Sequence, residues 1–262
     1  MLEEISRIVR EAGEIILSAA QDKDVHEKSG PDDLVTRYDA QVQRFLEDRL
    51  LSLLPGADFL GEEDLGEELH AGWEYRFIVD PIDGTTNFVK GFPHSGISVG
   101  LARRGELILG VVYDPYLDEL FTAQRGGGAH LNGRPLHVSG ADLAHGVAVF
   151  GTSPYYRQYT RETFALGEAL FRRCMDVRRM AAASLDLCYV AAGRVECYFE
   201  YLLSPWDQAA GSLIVQEAGG VATDLSGAPL ALDRKCSLAA GNPKCHTALL
   251  ELAKSVLVRS SS

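Results

Sequence analysis

The chain has 262 residues, 46% hydrophobic and 24% charged, a composition typical of a globular protein built as one large domain or two closely packed lobes. Its formal net charge of −12 argues against binding to nucleic acid or to an anionic membrane surface, since both select a basic face. It shows no apolar run of membrane-spanning length, no signal-peptide pattern and no C-x-x-C pair among its five cysteines. We therefore expect reduced thiols and a cytoplasmic location.

The first half of the chain begins with helical periodicity and then changes to strands. Apolar residues at helical spacing predict amphipathic helices over 5–19 and 42–53, with a loop or short hairpin at 21–33 between them. The strands predicted from period-two alternation cover 97–101, 107–113 and 120–123.

The second half alternates between strand and helix from about residue 146. The predicted segments are a strand at 147–150, a helix at 160–173, a segment at 184–192, a strand at 195–199, and helices at 207–218 and 243–256. This change of pattern predicts an α+β lobe at 1–143 and an α/β lobe at 144–262 that form one integrated unit.

Three acidic positions stand out against this background. Asp80 and Asp83 end an apolar run, and two carboxylates so close together repel each other unless a cation with a preference for oxygen ligands lies between them. Glu62 follows a short apolar strand, and Asp207 lies where a helix is predicted to begin. Taken singly, Glu62 is most often a solvated loop acid and Asp207 an N-cap.

Gly84 and Thr85 directly follow the paired aspartates, where a strand gives way to a predicted helix start. Free backbone amides at such a start bind phosphate, and glycine permits a close approach of the backbone. The sequence therefore predicts a phosphate cradle beside the cation site.

Two other motifs are interpreted as structural. Residues 96–100 satisfy the G-x-S-x-G pattern of a hydrolase nucleophile, but strand alternation runs through them, so Ser98 is expected to be a strand residue. The glycines at 126–128 lack the spacing of a dinucleotide motif and the lysine of a P-loop, which favours a turn.

Together the acidic motifs resemble those of the inositol monophosphatase family. They are, in order, Gly61-Glu62-Glu63-Asp64, Asp80-Pro81-Ile82-Asp83-Gly84-Thr85-Thr86-Asn87-Phe88 and Trp206-Asp207-Gln208-Ala209-Ala210-Gly211. The resemblance covers nearly the whole chain and implies the layered αβαβα sandwich that this family shares with the fructose-1,6-bisphosphatases. It also implies a magnesium-dependent, lithium-sensitive phosphatase and a homodimer.

The resemblance further implies a set of metal ligands. Glu62, Asp80 and the carbonyl of Ile82 would hold one Mg²⁺, and Asp80, Asp83 and Asp207 would hold another, so that Asp80 bridges the two ions. Two or three ions are expected in all, with Mn²⁺ as an alternative to Mg²⁺. These are hard oxygen ligands, as such ions require.

Catalytic roles follow from the same resemblance. Thr85 would orient and help to deprotonate the attacking water, with Asp39 as its partner and Glu62 as a further catalytic acid. Gly84 and Thr85 would bind the phosphate. From the residues alone, Asp39 is equally explained as an N-cap of the second helix.

Substrate selection is expected from the second half of the chain. Glu200 and Asp207 match the acids that bind substrate hydroxyls in the family. Ala181, Ala182 and Ala183 stand where the family usually has Gly-Ser/Thr-Ala, a departure that removes a hydroxyl donor and leaves the identity of the polyol open.

The expected reaction is hydrolysis of inositol monophosphate. The same chemistry on fructose-1,6-bisphosphate, histidinol phosphate or a nucleotide phosphate is the nearer alternative. A non-enzymatic alternative is an accessory role on the transcription machinery, which some bacterial members of the family perform.

Overall fold

The computed structural model describes residues 1–19, 25–30, 33–64 and 72–260, with only the backbone described at 25–30, 33–36, 64 and 257–260. Its α-helices are α1 (Leu2–Ser18), α2 (Arg37–Leu53), α3 (Thr85–Lys90), α4 (Thr160–Phe171), α5 (Ala183–Ala191), α6 (Pro205–Glu217) and α7 (Pro243–Ser260). Short 3₁₀ turns lie at Glu62–Asp64, Leu143–His145 and Arg157–Tyr159. None of the helices in the described ranges is long and apolar enough to cross a membrane.

The described strands form a hairpin and two larger sheets. The hairpin is β1 (Val25–Gly30) and β2 (Asp33–Thr36). The N-terminal sheet contains β3 (Asp58–Gly61), β4 (Tyr75–Asp83), β5 (Gly96–Arg103), β6 (Glu106–Asp114), β7 (Glu119–Gln124), β8 (Gly128–Leu131) and β9 (Arg134–Pro135) in sequential order. The C-terminal sheet has the order β11-β10-β12-β14-β13, from β10 (Val147–Phe150), β11 (Asp176–Arg178), β12 (Cys197–Leu203), β13 (Val221–Thr223) and β14 (Cys236–Gly241).

The two larger sheets alternate with three layers of helices. The apolar faces of α1 and α2 pack on one side of the N-terminal sheet, where Val9 and Leu46 join Val79 in one core cluster. On its other side, α5 and α6 fill the space between the two sheets. A third cluster joins α4 and α7 to the far face of the C-terminal sheet. The result is the expected αβαβα sandwich.

Helix α6 lies unusually close to the N-terminal sheet. A Cβ atom on Gly110 of β6 would come within 2.7 Å of the carbonyl oxygen of Ala210. A Cβ on Gly100 of β5 would lie 3.2 Å from the Cβ of Ala209. Small residues on both surfaces therefore allow α6 to pack close against the sheet, which fixes where the N-terminus of α6 lies.

The predicted elements are recovered with shifted ends. The hairpin expected within 21–33 is β1–β2, and the second helix begins at 37 rather than 42. Ser98 lies inside β5, where its buried hydroxyl donates to the carbonyl of Trp206 at 3.2 Å, as expected for a strand residue. The short strands β8, β9, β11 and β13, and the strand β14 that lies between β12 and β13, were not predicted. The lobe boundary at 143/144 falls between the two sheets, and the division into lobes stays a prediction.

Candidate active site

A cavity of about 960 Å³ opens beside the end of β4. Its walls come from both halves of the chain: the end of β4 and the start of α3, the segments after β10 and β11, and the starts of α5 and α6. Every acidic position singled out in the sequence lines this cavity except Asp39, which is buried behind Thr85.

A bulge in β4 turns both of its aspartates towards the cavity. Three positions separate Asp80 from Asp83, and in a regular strand an odd separation places side chains on opposite faces. Their partners on β5, Ser98 and Gly96, are only two positions apart, so β4 carries one extra residue between them. Within the bulge the amide of Ile82 donates to Oδ1 of Asp80 at 3.1 Å.

Asp83 also caps a helix from the other half of the chain. Its Oδ1 accepts from the amide of Ala183 at 3.1 Å, and its Oδ2 accepts from the amide and the hydroxyl of Ser184 at 2.7 and 2.5 Å. The N-cap position of α5 is Ala182, whose side chain has no acceptor. A carboxylate about one hundred residues away in sequence supplies the cap instead.

Taken singly, Asp207 was interpreted as the N-cap of α6, and this interpretation is wrong. The helix begins at Pro205, so Ser204 is the N-cap and Asp207 occupies the third helical position. The carboxylate of Asp207 accepts from the amide of Ser204 at 2.6 Å and completes a capping box. This contact fixes the carboxylate at the edge of the cavity.

Thr85 and Asp39 are brought together although 46 positions separate them in sequence. The hydroxyl of Thr85 lies 3.1 Å from the carbonyl oxygen of Ile82 and 3.4 Å from Oδ1 of Asp39. Both side chains are buried. The interpretation of Asp39 as an N-cap is wrong, because α2 begins at Arg37 and Asp39 lies in its first turn.

Gly84 is the N-cap of α3 and has a φ of 86°, a left-handed conformation that favours glycine. A Cβ there would lie 3.0 Å from the carbonyl oxygen of Ala181 and 3.2 Å from both the Cβ of Ala182 and the carbonyl oxygen of His94. Position 84 therefore favours glycine for two reasons: its φ is positive, and a Cβ atom would crowd the backbone at 181 and 94.

Burial and mutual repulsion raise the pKa values of the clustered acids. Burial raises the pKa of Asp80 well above its usual range, and the charges of Glu62, Asp83 and Asp207 raise it further. Burial and the charges of Glu62 and Asp83 act on the pKa of Asp207 in the same direction. Burial also raises the pKa of Asp83, but the hydrogen bonds from Ser184 oppose this rise.

The donor set of this cluster fits a hard divalent cation. Each member is a carboxylate, and a cation among them would relieve the repulsion that raises their pKa values. Within the described residues, no three His, Cys, Asp or Glu side chains are arranged closely enough to hold a metal ion as they stand. The acids therefore match a divalent cation in ligand type and in lining one cavity, but their side chains do not already form a coordination sphere.

Glu200 lies on β12 and lines the same cavity. Its oxygens accept from the amide of Ser153 and from the hydroxyl of Tyr198, each at 2.6 Å. Burial raises the pKa of its carboxyl, while the hydrogen bonds from Tyr198 and Ser153 act in the opposite direction. Two hydrogen bonds therefore hold the carboxylate of Glu200 at the wall of the cavity, and its role as a substrate-binding acid stays a prediction.

The alanines at 181–183 form the turn that leads into α5. Ala181 has a φ of 70°, which is uncommon for a residue with a Cβ. Ala182 is the buried N-cap, and the amide of Ala183 donates to Asp83. Their backbone groups, rather than their methyl side chains, connect them to the acidic cluster.

Sequence reasoning missed several residues of the cavity. Asp186 of α5 is buried, burial raises its pKa to about 7, and its Oδ1 lies 3.9 Å from Nε2 of His94. Arg179 and Lys235 lie at the solvent-exposed edge. Arg179 stands only two positions before Ala181 and could have been considered on that ground, whereas no pattern distinguishes Lys235 from a surface lysine.

Known proteins resemble this chain over most of its length. Residues 1–257 match the model of the inositol monophosphatase family. An inositol-1-monophosphatase of Rhizobium meliloti is 44% identical over 226 residues, which cover 85% of this chain and 84% of the relative. The Nus factor SuhB of Pseudomonas aeruginosa is 41% identical over 257 residues, covering 95% and 94%.

Solved structures agree with the sequence comparison. An inositol monophosphatase (IMPase) from Thermotoga maritima has a TM-score of 0.87 at 33% identity, covering 97% of this chain and 96% of that one. SaIMPase-II bound to inositol monophosphate has a TM-score of 0.81 at 28% identity, covering 97% and 94%. An IMPase/NADP phosphatase solved with NADP and Ca²⁺ has a TM-score of 0.86 at 25% identity, covering 96% and 95%. On its fold, its motifs and its sequence, this chain belongs to the inositol monophosphatase family.

Proposed function

We propose that this protein is a Mg²⁺-dependent phosphomonoesterase that hydrolyses inositol monophosphate to inositol and phosphate. One observation carries the proposal: Asp80, Asp83 and Asp207 line a single cavity in which Thr85, backed by Asp39, is also held. The similarity to an inositol-1-monophosphatase of Rhizobium meliloti supports the choice of substrate.

The carboxylates are assigned to metal binding. Glu62, Asp80 and the carbonyl of Ile82 would hold one Mg²⁺, and Asp80, Asp83 and Asp207 a second, with Mn²⁺ as an alternative ion. When bound, the ions supply a water of lowered pKa and stabilise negative charge on the departing oxygen. The backbone amides that hold Asp80, Asp83 and Asp207 keep these side chains in fixed orientations before any ligand arrives.

Thr85 and Asp39 are assigned to the attacking water. The hydroxyl of Thr85 has one proton, which it donates to Asp39 or to the carbonyl of Ile82, so its lone pairs remain available to accept from water. The buried carboxylate of Asp39 increases the tendency of Thr85 to accept. Gly84 allows the backbone at the start of α3 to approach the phosphate.

Glu200 and Asp207 are assigned to the substrate hydroxyls. Both oxygens of Glu200 already accept one hydrogen bond each, and a carboxylate has about four acceptor positions, so it still accepts from a polyol hydroxyl. Around the turn at 181–183, backbone groups would replace the side-chain hydroxyl that other family members provide.

The test is phosphate release from inositol 1-phosphate, with and without Mg²⁺, alongside fructose-1,6-bisphosphate, histidinol phosphate and a nucleotide phosphate. Activity should require the metal and should be lost in Asp80→Asn, whose circular dichroism should match that of the unmodified protein. Full activity after chelation, or in Asp80→Asn, would refute the site assignment. The ranking of the esters by kcat/KM decides the substrate.

A second candidate function is an accessory role in transcription. It is supported by the 41% identity to the Nus factor SuhB of Pseudomonas aeruginosa over 95% of this chain. The net charge of −12 favours contact with a protein of the transcription machinery over direct contact with RNA. Affinity purification of the tagged chain from its own cells should then recover RNA polymerase, and its recovery with the Asp80→Asn variant would separate this role from catalysis.

We also propose that the protein is a homodimer located in the cytoplasm, as expected from its family. Light scattering on the purified protein measures its oligomeric state, and cell fractionation measures its location.

A further inference from the structure

The side chain of Asn87 joins two loops from different halves of the chain. Asn87 lies in α3, is half-buried and does not line the cavity. Its Nδ2 donates to the carbonyl oxygen of His94 and to that of Met180, each at 2.7 Å. A side-chain amide nitrogen has two protons, so each carbonyl receives one of them. Among the described residues no backbone amide donates to either carbonyl, so both depend on Asn87.

Both loops pass directly beside Gly84. A Cβ atom on Gly84 would lie 3.0 Å from the carbonyl oxygen of Ala181, the residue after Met180, and 3.2 Å from that of His94. The carbonyl of His94 therefore lies against Gly84 while it accepts from Asn87. Asn87 thus holds in place the two backbone segments between which Gly84 fits.

The turn at 181–183 is fixed on both sides of a residue in an unfavourable conformation. Ala181 has a φ of 70°, which is uncommon for a residue with a Cβ. Before it, the carbonyl of Met180 accepts from Asn87, and after it two amides at the start of α5 donate to Asp83. Asp83 is also assigned to a cation. The hydrogen bond from Asn87 is therefore the contact to this turn that does not depend on a proposed metal ligand.

His94 extends the connection to α5. Its Nε2 lies 3.9 Å from Oδ1 of Asp186, and its ring meets the ring of Tyr189 edge-on with centroids 5.7 Å apart. Both partners belong to α5. Asn87 therefore connects α3 to the turn at 181–183 directly, and to α5 by way of His94.

We propose that Asn87 is a positioning residue: its amide sets the distance between the turn at 181–183, which forms one wall of the cavity, and the acids at the end of β4. This turn is the wall assigned, with Glu200, to the hydroxyls of the substrate. Loss of the amide should therefore weaken the selection of a polyol ester more than the hydrolysis of an ester without hydroxyls. The kinetic part of this inference rests on the proposed phosphatase function.

Two variants remove the donors, and a third is the matched control. Asn87→Leu removes them at similar volume without adding charge, and Asn87→Asp removes them with almost no change of shape. Asn242→Asp is the control, because the Nδ2 of Asn242 likewise donates to two groups, the carbonyl of Ala141 at 2.9 Å and the hydroxyl of Ser139 at 3.3 Å. Asn242 is buried and does not line the cavity. It reports what a loss of stability alone does to the kinetics.

The kinetic test compares inositol 1-phosphate with p-nitrophenyl phosphate, which has no hydroxyl for the turn to bind, in Mg²⁺ buffer below the melting temperature of each variant. A displacement of about 1 Å at a reacting centre costs about a hundredfold in rate, and we expect a displaced hydroxyl-binding wall to cost less. In both Asn87 variants kcat/KM should fall by about tenfold for inositol 1-phosphate, through a higher KM, and by less than about threefold for the aryl ester. Asn242→Asp should change neither value.

Hydrogen exchange measures the same connection without turnover. In Asn87→Leu the amides at 92–95 and 180–184 should exchange about tenfold faster than in the unmodified protein, and Asn242→Asp should leave them unchanged. Unchanged exchange at 180–184, or unchanged selectivity between the two esters, overturns the inference. Faster exchange in Asn87→Leu, with no ester hydrolysed by the unmodified protein, supports the positioning role and refutes the phosphatase function alone.

Discussion

Three helices begin beside the acidic cluster, and two of them, α6 and α3, begin in opposite ways. The start of α6 is closed, because the side chain of Ser204 and the carboxylate of Asp207 exchange hydrogen bonds with backbone amides. The start of α3 is open: its N-cap is Gly84, and within the described part of the chain no side chain caps it. One helix start thus presents a carboxylate to the cavity and the other presents backbone donors, so neighbouring positions suit a cation and a phosphate.

The strongest test of the closed start is Asp207→Asn. The amide oxygen of asparagine still accepts from Ser204, so the cap survives, but the charge needed for a cation is lost. We expect kcat/KM for inositol 1-phosphate to fall by about three orders of magnitude, with a melting temperature close to that of the unmodified protein.

Ser204→Ala is the matched opposite of that change. It removes the cap hydroxyl and leaves the acid, so it should cost about 1 kcal/mol of stability and retain most of the activity. Thermal melts and kinetics on both variants separate the two roles. If Ser204→Ala loses as much activity as Asp207→Asn, the capping box rather than the charge controls the site.

The open start is tested by Gly84→Ala. The new Cβ would press on the carbonyl oxygen of Ala181, and the residue would be held at a φ of 86°. Because a displacement of about 1 Å at a reacting centre costs on the order of a hundredfold in rate, we expect a loss of that size in kcat/KM. Gly91→Ala is the control at the far end of α3: its φ of 76° is similar, but its Cβ meets no atom within 4 Å. Equal losses in the two variants would contradict a special role for the start of α3.

A smaller effect is expected within α3 itself, at Thr85. Valine has the same shape but neither donates to Asp39 nor accepts from water, so Thr85→Val should lower kcat by about ten- to hundredfold. Thr85→Ser retains the hydroxyl and should recover most of the rate in the same assay. A fully active valine variant would remove Thr85 from the mechanism.

The smallest effect concerns the turn that contacts Gly84. Ala181 has a φ of 70°, and glycine adopts this conformation without a steric penalty, although it also gains freedom in the unfolded chain. We expect Ala181→Gly to raise the free energy of unfolding by about 0.5–1 kcal/mol, measured by urea denaturation. A destabilised variant would mean that the methyl group packs usefully.

Sequence patterns predicted most of the larger helices and strands and singled out the acids at Asp80 and Asp83, because both depend on local signals, whereas the layered sandwich was implied by the resemblance to the family. Periodicity locates α1, α2 and β5, and the residues from Asp80 to Thr85 lie within one short stretch. The pattern failed at β14, whose sequence Cys-Ser-Leu-Ala-Ala-Gly has few of the residues that favour strands. Its small side chains suit a buried strand between β12 and β13, a property that only the tertiary structure reveals.

Contacts between distant residues could not be predicted in the same way. Ser184 gives no sign in the sequence that it binds Asp83, and Asp39 and Asp207 look like ordinary N-caps until the helix starts are known. The capping preference was sound, but Ser204 and not Asp207 holds the N-cap position. Only the resemblance to the family indicated that Glu62, Asp80 and Asp207 belong to one site, because their spacing in the sequence does not show it.

The bond from Asp83 to α5 also sets an order of events during synthesis of the chain. Asp83 leaves the ribosome about one hundred residues before its partners Ala183 and Ser184, and Asp207 follows later still. In the folded protein α5 and α6 cover one face of the N-terminal sheet, so before they emerge that face would lack its partners and Asp83 would lack the amides that hold it. Enzymatic activity would therefore appear only after nearly the whole chain has emerged, which makes phosphate release a sensitive reporter of complete folding.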